Sequence, residues 1–329
     1  MRLDCEISDI LTRATGAIAS GCAELHHAPL RDTATLSRWL AAGHNAGMAY
    51  MANHLEIRER PELLLEGARS IISLAFNYNP AVAQDAALPQ IARFAYGLDY
   101  HDVLRSRISG AVTEMAASLG GEYRICIDSA PIFERYWAEE CGIGRRADNG
   151  LIAVPGYGTY VLLAEILTTL PIDLIRSHED DCAPVSSVEE GRGDSPLQCT
   201  HCGACRRACP AGALQSDGCV DARRCLSYLT IEHKGEWDAT GTAAMQTPSG
   251  RRTLFGCDIC QRVCPLNRHT PATEITEFQP IGGLLSLTGA EVATMTQEEF
   301  SRIFKGSPIK RSKLAGLLRN ARNTLTDKG

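Results

Sequence analysis

Eight of the fourteen cysteines fall into a pattern suited to metal–thiolate chemistry. Cys199, Cys202, Cys205 and Cys209 form a C-x2-C-x2-C-x3-C run closed by Pro210. Cys257, Cys260 and Cys264 form a shorter C-x2-C-x3-C run closed by Pro265, with Cys225 upstream. In the bacterial ferredoxin arrangement three closely spaced thiolates hold one [4Fe–4S] cluster, and the cysteine before proline reaches across to the other. That rule assigns Cys199, Cys202, Cys205 and Cys264 to the first cluster. The second takes Cys209, Cys225, Cys257 and Cys260, with Cys225 supplying the third cysteine that the second run lacks. A pair of structural zinc sites is the competing reading, since C-x2-C pairs also suit zinc, but the full first run has little use there. Cys5, Cys22, Cys126, Cys141, Cys182 and Cys219 have no partners at ligand spacing and read as buried small hydrophobes.

Clusters pass electrons singly and bind no organic substrate, so the residues ahead of Cys199 must hold a second cofactor or dock a partner. Apolar residues at helical spacing predict helices over 8–25, 35–52 and 101–119, the last stopped by Gly120 and Gly121. The β-branched, apolar run 68–78 predicts a buried strand, and 151–154 and 159–167 predict more. Residues 124–128 read as a short strand ending in an acid, Asp128, with Pro131 near the start of a helix that runs to Glu140. The interleaving favours an α/β or α+β first domain. The expected fold class is α+β: an α/β-type cofactor domain (1–176), an inserted ferredoxin-like two-cluster domain (177–270) that opens on an acidic linker, 177–196, and a small all-helical region (271–329). In the last of these, Thr296 and Glu299 have capping-box spacing.

The composition is that of a globular protein, with 44% apolar and 22% charged residues. The net charge of −6 hides an asymmetry. Residues 302–329 carry eight Lys/Arg against one acid, a local charge of +7, which leaves about −13 on the rest. Such a basic tail can meet a polyanion. The N-terminus lacks the pattern of a secretory signal and no apolar run is long enough to span a bilayer. Many cysteines without an export signal point to a reducing compartment, the cytoplasm, and to no membrane partner.

Several segments resemble the epoxyqueuosine reductases. They are GMAYMANH (47–54), RFAYGLDYH (93–101), IDSAPIFER (127–135), NGLIAVPGYGTYVLLAEILTTLPI (149–172), DARRCLSYLTIEHKG (221–235), GCDICQRVCPLN (256–267) and FKGSPIKRSKLAGLLRNA (304–321). The resemblance implies a cytoplasmic, monomeric enzyme that uses cobalamin and two [4Fe–4S] clusters. Its substrate would be the epoxide of epoxyqueuosine at the wobble position of a tRNA with a GUN anticodon, and an unidentified donor would supply the electrons. It also implies corrinoid contacts at Asn53, Arg93, Asp128, Ile152 and Leu163. Asp128 would be the proton donor, provided burial raises its pKa; without the resemblance, an acid at a strand end reads as a turn former or cap. Lys310, Arg311, Lys313 and Arg319 would lie against RNA phosphates.

Asp99-Tyr100-His101 begins like the D-x-H-x-x-G signature of cobalt-binding histidines, but Leu104 replaces its glycine, so His101 reads as a surface or capping residue. The chain departs from the family at five positions. Arg145 stands for Trp, Ala147 for Gly, Asp148 for Lys, Ala164 for Gly and Asn53 for a frequent Arg. A relative acting on another epoxide or a halogenated compound is the rival enzyme, and a two-cluster electron carrier is the rival without catalysis.

Overall fold

A computed structural model describes residues 5–176 and 198–325. Its central sheet has four strands in the order β1-β2-β7-β4, all antiparallel. They are β1 (Ala19–Glu24), β2 (Ser70–Asn77), β4 (Tyr123–Cys126) and β7 (Val161–Thr168). An antiparallel sheet with helices on its faces is α+β, which settles the alternatives left open by the pattern. Two-stranded pairings add β3 (Gln90–Ile91) with β8 (Thr253–Phe255), and β5 (Arg145–Arg146) with β6 (Ile152–Ala153).

β2 is buried along its whole length because both of its faces are covered. Ile72, Leu74 and Phe76 pack with α1 (Cys5–Thr15) and α4 (Tyr100–Leu119); Ile71 packs with Trp137 and Tyr136 of α5 (Glu134–Glu140). The buried residues of α4 are Val103, Leu104, Ile108, Ala111 and Met115, a single helical stripe. Gly120, at φ +70°, ends the helix where expected.

Two helix expectations are corrected. The 8–25 run divides: α1 stops at Thr15, Gly16 turns the chain at φ +77°, and residues 19–24 are captured as β1 along the edge of β2. Among the small residues that hide this strand Gly21 is required, since a Cβ there would lie 2.1 Å from the Cys141 carbonyl oxygen. The second helix, α2 (Leu30–Ala41), starts earlier than expected and ends before Gly43. Beyond it Gly47 passes so close to Tyr228 that a Cβ would sit 2.8 Å from the hydroxyl.

The first domain also holds α3 (Leu55–Glu59), and the cysteine region holds four short helices, α6 (Ala204–Ala208), α7 (Leu226–Ile231), α8 (Ala239–Met245) and α9 (Ile259–Arg262). The last three are α10 (Gly289–Ala293), α11 (Gln297–Ile303) and α12 (Lys313–Thr324). Thr296 and Glu299 form the expected capping box on α11. Packing crosses the sequence divisions. Ile275 and Phe278 join the core under α4, while Ile91, Ala95 and Tyr96 join Leu254, Phe255 and the C-terminal helices in a second core. Arg107 of α4 ion-pairs with Glu277 at 2.7 Å. No described helix is long and apolar enough to cross a membrane. The acidic stretch 177–196 lies outside the described residues.

Candidate active site and cluster ligands

The eight cluster cysteines gather in two sets. Cys199, Cys202, Cys205 and Cys264 line one recess with Ala147, Asn149 and Pro265. Gly203, at φ +69°, bends the chain between Cys202 and α6. The second set converges from the far end of α6, the start of α7, and α9. Burial pushes the Cys260 thiol up, and the nearby thiols of Cys257, Cys225 and Cys209 push it further. The Ala213 N–H donates to Cys209 Sγ at 3.2 Å, a contact of the kind that tunes cluster potentials. None of these eight cysteines is in a disulfide, nor are Cys22, Cys126 and Cys141, which are buried in the core as expected, or half-buried Cys219. Two sets of four thiolates fit two cubanes.

Asp148 links the first domain to the first cluster set. Its carboxylate contacts His201 Nδ1 at 2.6 Å and lies 3.8 Å from Arg206. An acid is thus set against the basic residues of the cluster loop.

Asp128 stands two residues beyond β4, at φ +53°. A non-glycine residue rarely adopts this conformation, and such strain persists where surrounding contacts enforce it. Here the Ser129 N–H donates to the Ile127 carbonyl at 2.5 Å, and the Asp128 N–H donates to Glu134 Oε1 at 2.5 Å. The side chain, 56% exposed, turns toward the N-terminus of α4. Tyr100 donates its hydroxyl to Asp128 Oδ2 at 2.8 Å, and His101 Nε2 lies 3.2 Å from the same oxygen. Asp99 caps α4 by accepting from the His101 N–H, and its Oδ1 also holds His101 Nδ1 at 2.8 Å.

These contacts overturn the expected ionisation. Desolvation raises the Asp128 pKa, but hydrogen bonds from His101 and Tyr100 and the charges of His101 and Arg311 outweigh it, so the carboxyl is held below its ordinary value. Asp128 is a carboxylate at neutral pH and the proton lies on its neighbours. Desolvation lowers the His101 pKa, yet its bonds to Asp128 and Asp99 push it up to about 9. Burial beside Asp128 pushes Glu134 up to about 8. Glu165, fully buried on β7, is raised well above its usual value, by burial first and then by Glu134. His101, Tyr100 and Glu134 are functional candidates that sequence reasoning missed. The signal for His101 was present in Asp99-Tyr100-His101, but its partner lies 27 residues away on another element.

The other expected residues fall in three places. Ile152 and Leu163 meet in one apolar cluster. Arg93 bonds Asn79 Oδ1 at 2.6 Å and lies over the Tyr160 ring, while its N–H donates to Asp258 next to Cys257. Asn53 is exposed, three residues after Tyr50, whose hydroxyl feels Glu232, Arg311 and Asp128. In the tail, Lys310, Arg311 and Lys313 are exposed, and Arg311 pairs with Glu232. Arg319 is corrected. It is 7% exposed, donates to the carbonyls of Leu229, His233 and Gly235, and stacks on Trp237, so it has no free face for a phosphate.

Comparison with known proteins agrees with this geometry. Residues 198–267 match a 4Fe-4S double cluster binding domain, so the cysteine region is an iron–sulfur domain. Residues 58–129 match the family model "Epoxyqueuosine reductase QueG, DUF1730". An epoxyqueuosine reductase of Cyclobacterium marinum is 35% identical over 291 residues, covering 87% of this chain and 85% of that protein. A crystal structure of epoxyqueuosine reductase with an epoxyqueuosine-modified tRNA-Tyr stem loop superposes with a TM-score of 0.80 at 26% identity, covering 97% of this chain and 80% of that one. The Bacillus subtilis enzyme, solved with its catalytic aspartate loop swung out of the active site, gives 0.75 at 26% identity, covering 96% and 80%. The chain therefore belongs to the epoxyqueuosine reductase family and is an oxidoreductase.

Proposed function

We propose that this enzyme reduces the epoxide of epoxyqueuosine at the wobble position of a GUN-anticodon tRNA to give queuosine. The observation that carries this reading is the polarised carboxylate of Asp128, held by Tyr100 and His101 beside an exposed basic segment and next to an iron–sulfur domain. Removing an epoxide oxygen to leave an alkene consumes two electrons and two protons and releases water. The electrons come from an external one-electron donor through two [4Fe–4S] clusters held by the two sets of four cysteines. The protons come from the Asp128 site. The enzyme would act as a monomer in the cytoplasm.

Cobalamin would supply low-valent cobalt chemistry at the epoxide carbon when bound. The residues present suit it. β4 pairs only with residues 165–168 of β7, so the backbone of Val161–Ala164 has one edge without a strand among the described residues. Ile152 and Leu163 give that region an apolar wall. Asn149 Nδ2 and Tyr160 Oη are buried without hydrogen-bond partners, as groups awaiting polar side arms of a ligand would be. Asn53 and Arg93 would supply further contacts, and Asp128 would face the reacting oxygen from the end of β4. Lys310, Arg311 and Lys313 would take the RNA backbone.

The test is direct. Anaerobically reconstituted protein with cobalamin, a chemical reductant and tRNA carrying epoxyqueuosine should yield a nucleoside one oxygen lighter by mass spectrometry. An unchanged nucleoside, with clusters intact and reduced, would overturn the assignment. The readings as a dehalogenase-like relative or a plain electron carrier are not favoured: the matched relatives are epoxyqueuosine reductases, and a carrier has no use for the Asp128 site.

A further inference from the structure

We propose that His101 is the proton reservoir of the active site: it hands a proton to the ionised Asp128 ahead of each of the two protonations, and Asp99 acts as the positioning residue that fixes its tautomer. This rests on the function proposed above and goes beyond it, since a single carboxyl group delivers one proton and the reaction consumes two.

The geometry is a chain of three groups. Asp99 Oδ1 lies 2.8 Å from His101 Nδ1, and His101 Nε2 lies 3.2 Å from Asp128 Oδ2. Asp99 is fixed at the cap of α4, and its own N–H donates to the Gly306 carbonyl at 2.6 Å. A carboxylate on Nδ1–H keeps the other ring nitrogen aimed at its target, so His101 can give its Nε2 proton and remain a neutral Nδ1–H tautomer. The Tyr100 ring stacks on the imidazole with centroids 4.1 Å apart, which holds the ring in its plane.

In the step, the Nε2–H bond breaks and an Oδ2–H bond forms. The carboxyl then presents that proton to the departing oxygen by rotation about Cβ–Cγ. Repeated once, with electrons arriving from the clusters, this supplies both hydrogens of the water released. His101 regains its proton from solvent. Two anions face the imidazole, Asp99 on its own helix cap and Asp128 from the β4–α5 turn, and Glu134 and Arg311 lie beyond Asp128. The raised pKa of His101 follows from that setting and keeps the reservoir full at neutral pH.

The experiment compares wild type, His101→Gln, Asp99→Asn and Asp128→Asn, all with clusters and cobalamin, at saturating substrate tRNA with chemically reduced clusters. His101→Gln should lose about 10²-fold in turnover, the lower end of what positioned proton transfer contributes. Its pH–rate profile should lack the wild-type decline above about pH 9, and added imidazole should restore part of the rate. Asp99→Asn should move that decline to lower pH. A second readout needs no turnover: nitrogen NMR titration of cluster-loaded protein without cobalamin should show the His101 signal shifting near pH 9 in wild type and at lower pH in Asp128→Asn. Wild-type turnover and an unchanged alkaline limb in His101→Gln would overturn the proposal, as would an ordinary His101 titration. If Asp128→Asn is inactive while His101→Gln is not, the relay fails and the function stands. If wild type yields no product, the function itself fails.

Discussion

At the scale of single residues, the site separates two acids by their surroundings. Asp128, bonded to His101 and Tyr100, stays ionised, and Glu134, enclosed beside it, keeps its proton. Asp128→Asn preserves shape but can neither accept nor hand on a proton, so turnover should fall by about 10²–10⁴-fold. Cluster spectra should persist, because no cysteine ligand touches this side chain. A merely structural Asp128 would instead leave the rate of the folded variant unchanged. The ionisations also predict how stability depends on pH. Glu134 has a folded-state pKa of about 8 against 4.5 in the open chain, so its contribution is complete below pH 4.5 and is lost as pH rises toward 8. His101, raised from 6.5 to about 9, loses its contribution across that higher window. Both act in one direction, so the protein should become less stable from mildly acidic to alkaline pH. Denaturant midpoints should show the decline, and Glu134→Gln should flatten its lower part. A stability maximum above pH 8 would contradict these ionisations.

At the scale of elements, each cluster draws ligands from separated segments, and a single substitution tests the partition. Cys225→Ala removes a ligand from the second set only, so protein reconstituted anaerobically should fall from about eight irons to about four. Equal damage to both clusters in a folded variant, read by iron and sulfide analysis, would show that the sets are drawn wrongly. What was legible in the sequence follows from how local each signal is. The eight cysteines declare themselves by spacing, α4 by its stripe and terminal glycines, and β2 by an apolar, β-branched run broken only by Ser73. β1 was hidden because residues 19–23 are all small, Gly21 being required by its close approach to the Cys141 carbonyl, and nothing in the segment itself favours a strand. His101 was underread because its partner Asp128 is brought to it only by tertiary packing. Arg319 was misread for the same reason. Its charge resembles that of its neighbours, but α12 turns it inward onto three carbonyls.

At the scale of the whole molecule, an acidic body of about −13 carries a +7 segment, and the fold decides which of those charges meet solvent. α12 is pinned to the iron–sulfur domain from below. Asn320 donates to the carbonyls of Thr230 and Leu254, and Asn323 to those of Met245 and Gly250. The loop ahead of it is tied to the catalytic side by the bond from the Asp99 N–H to the Gly306 carbonyl. Lys310, Arg311 and Lys313 are thereby held on the surface, with Arg311 close enough to bias the Asp128 carboxyl. On the proposed function, an RNA docked there would bring its modified base to the site, and the acidic body would disfavour docking elsewhere. Replacing Lys310, Arg311 and Lys313 together by Ala should weaken tRNA binding and flatten the dependence of log K on log salt by about one unit per lost phosphate contact. Arg319→Ala should behave differently. It leaves buried carbonyls without their donor and should cost about 2–4 kcal/mol of stability, while the salt slope of the protein that remains folded stays at the wild-type value. Filter binding over a salt series, paired with denaturant unfolding, separates the two classes. A flattened slope in Arg319→Ala, or an unchanged slope in the triple variant, would mean that the RNA lies on a different face from the one these three cations mark.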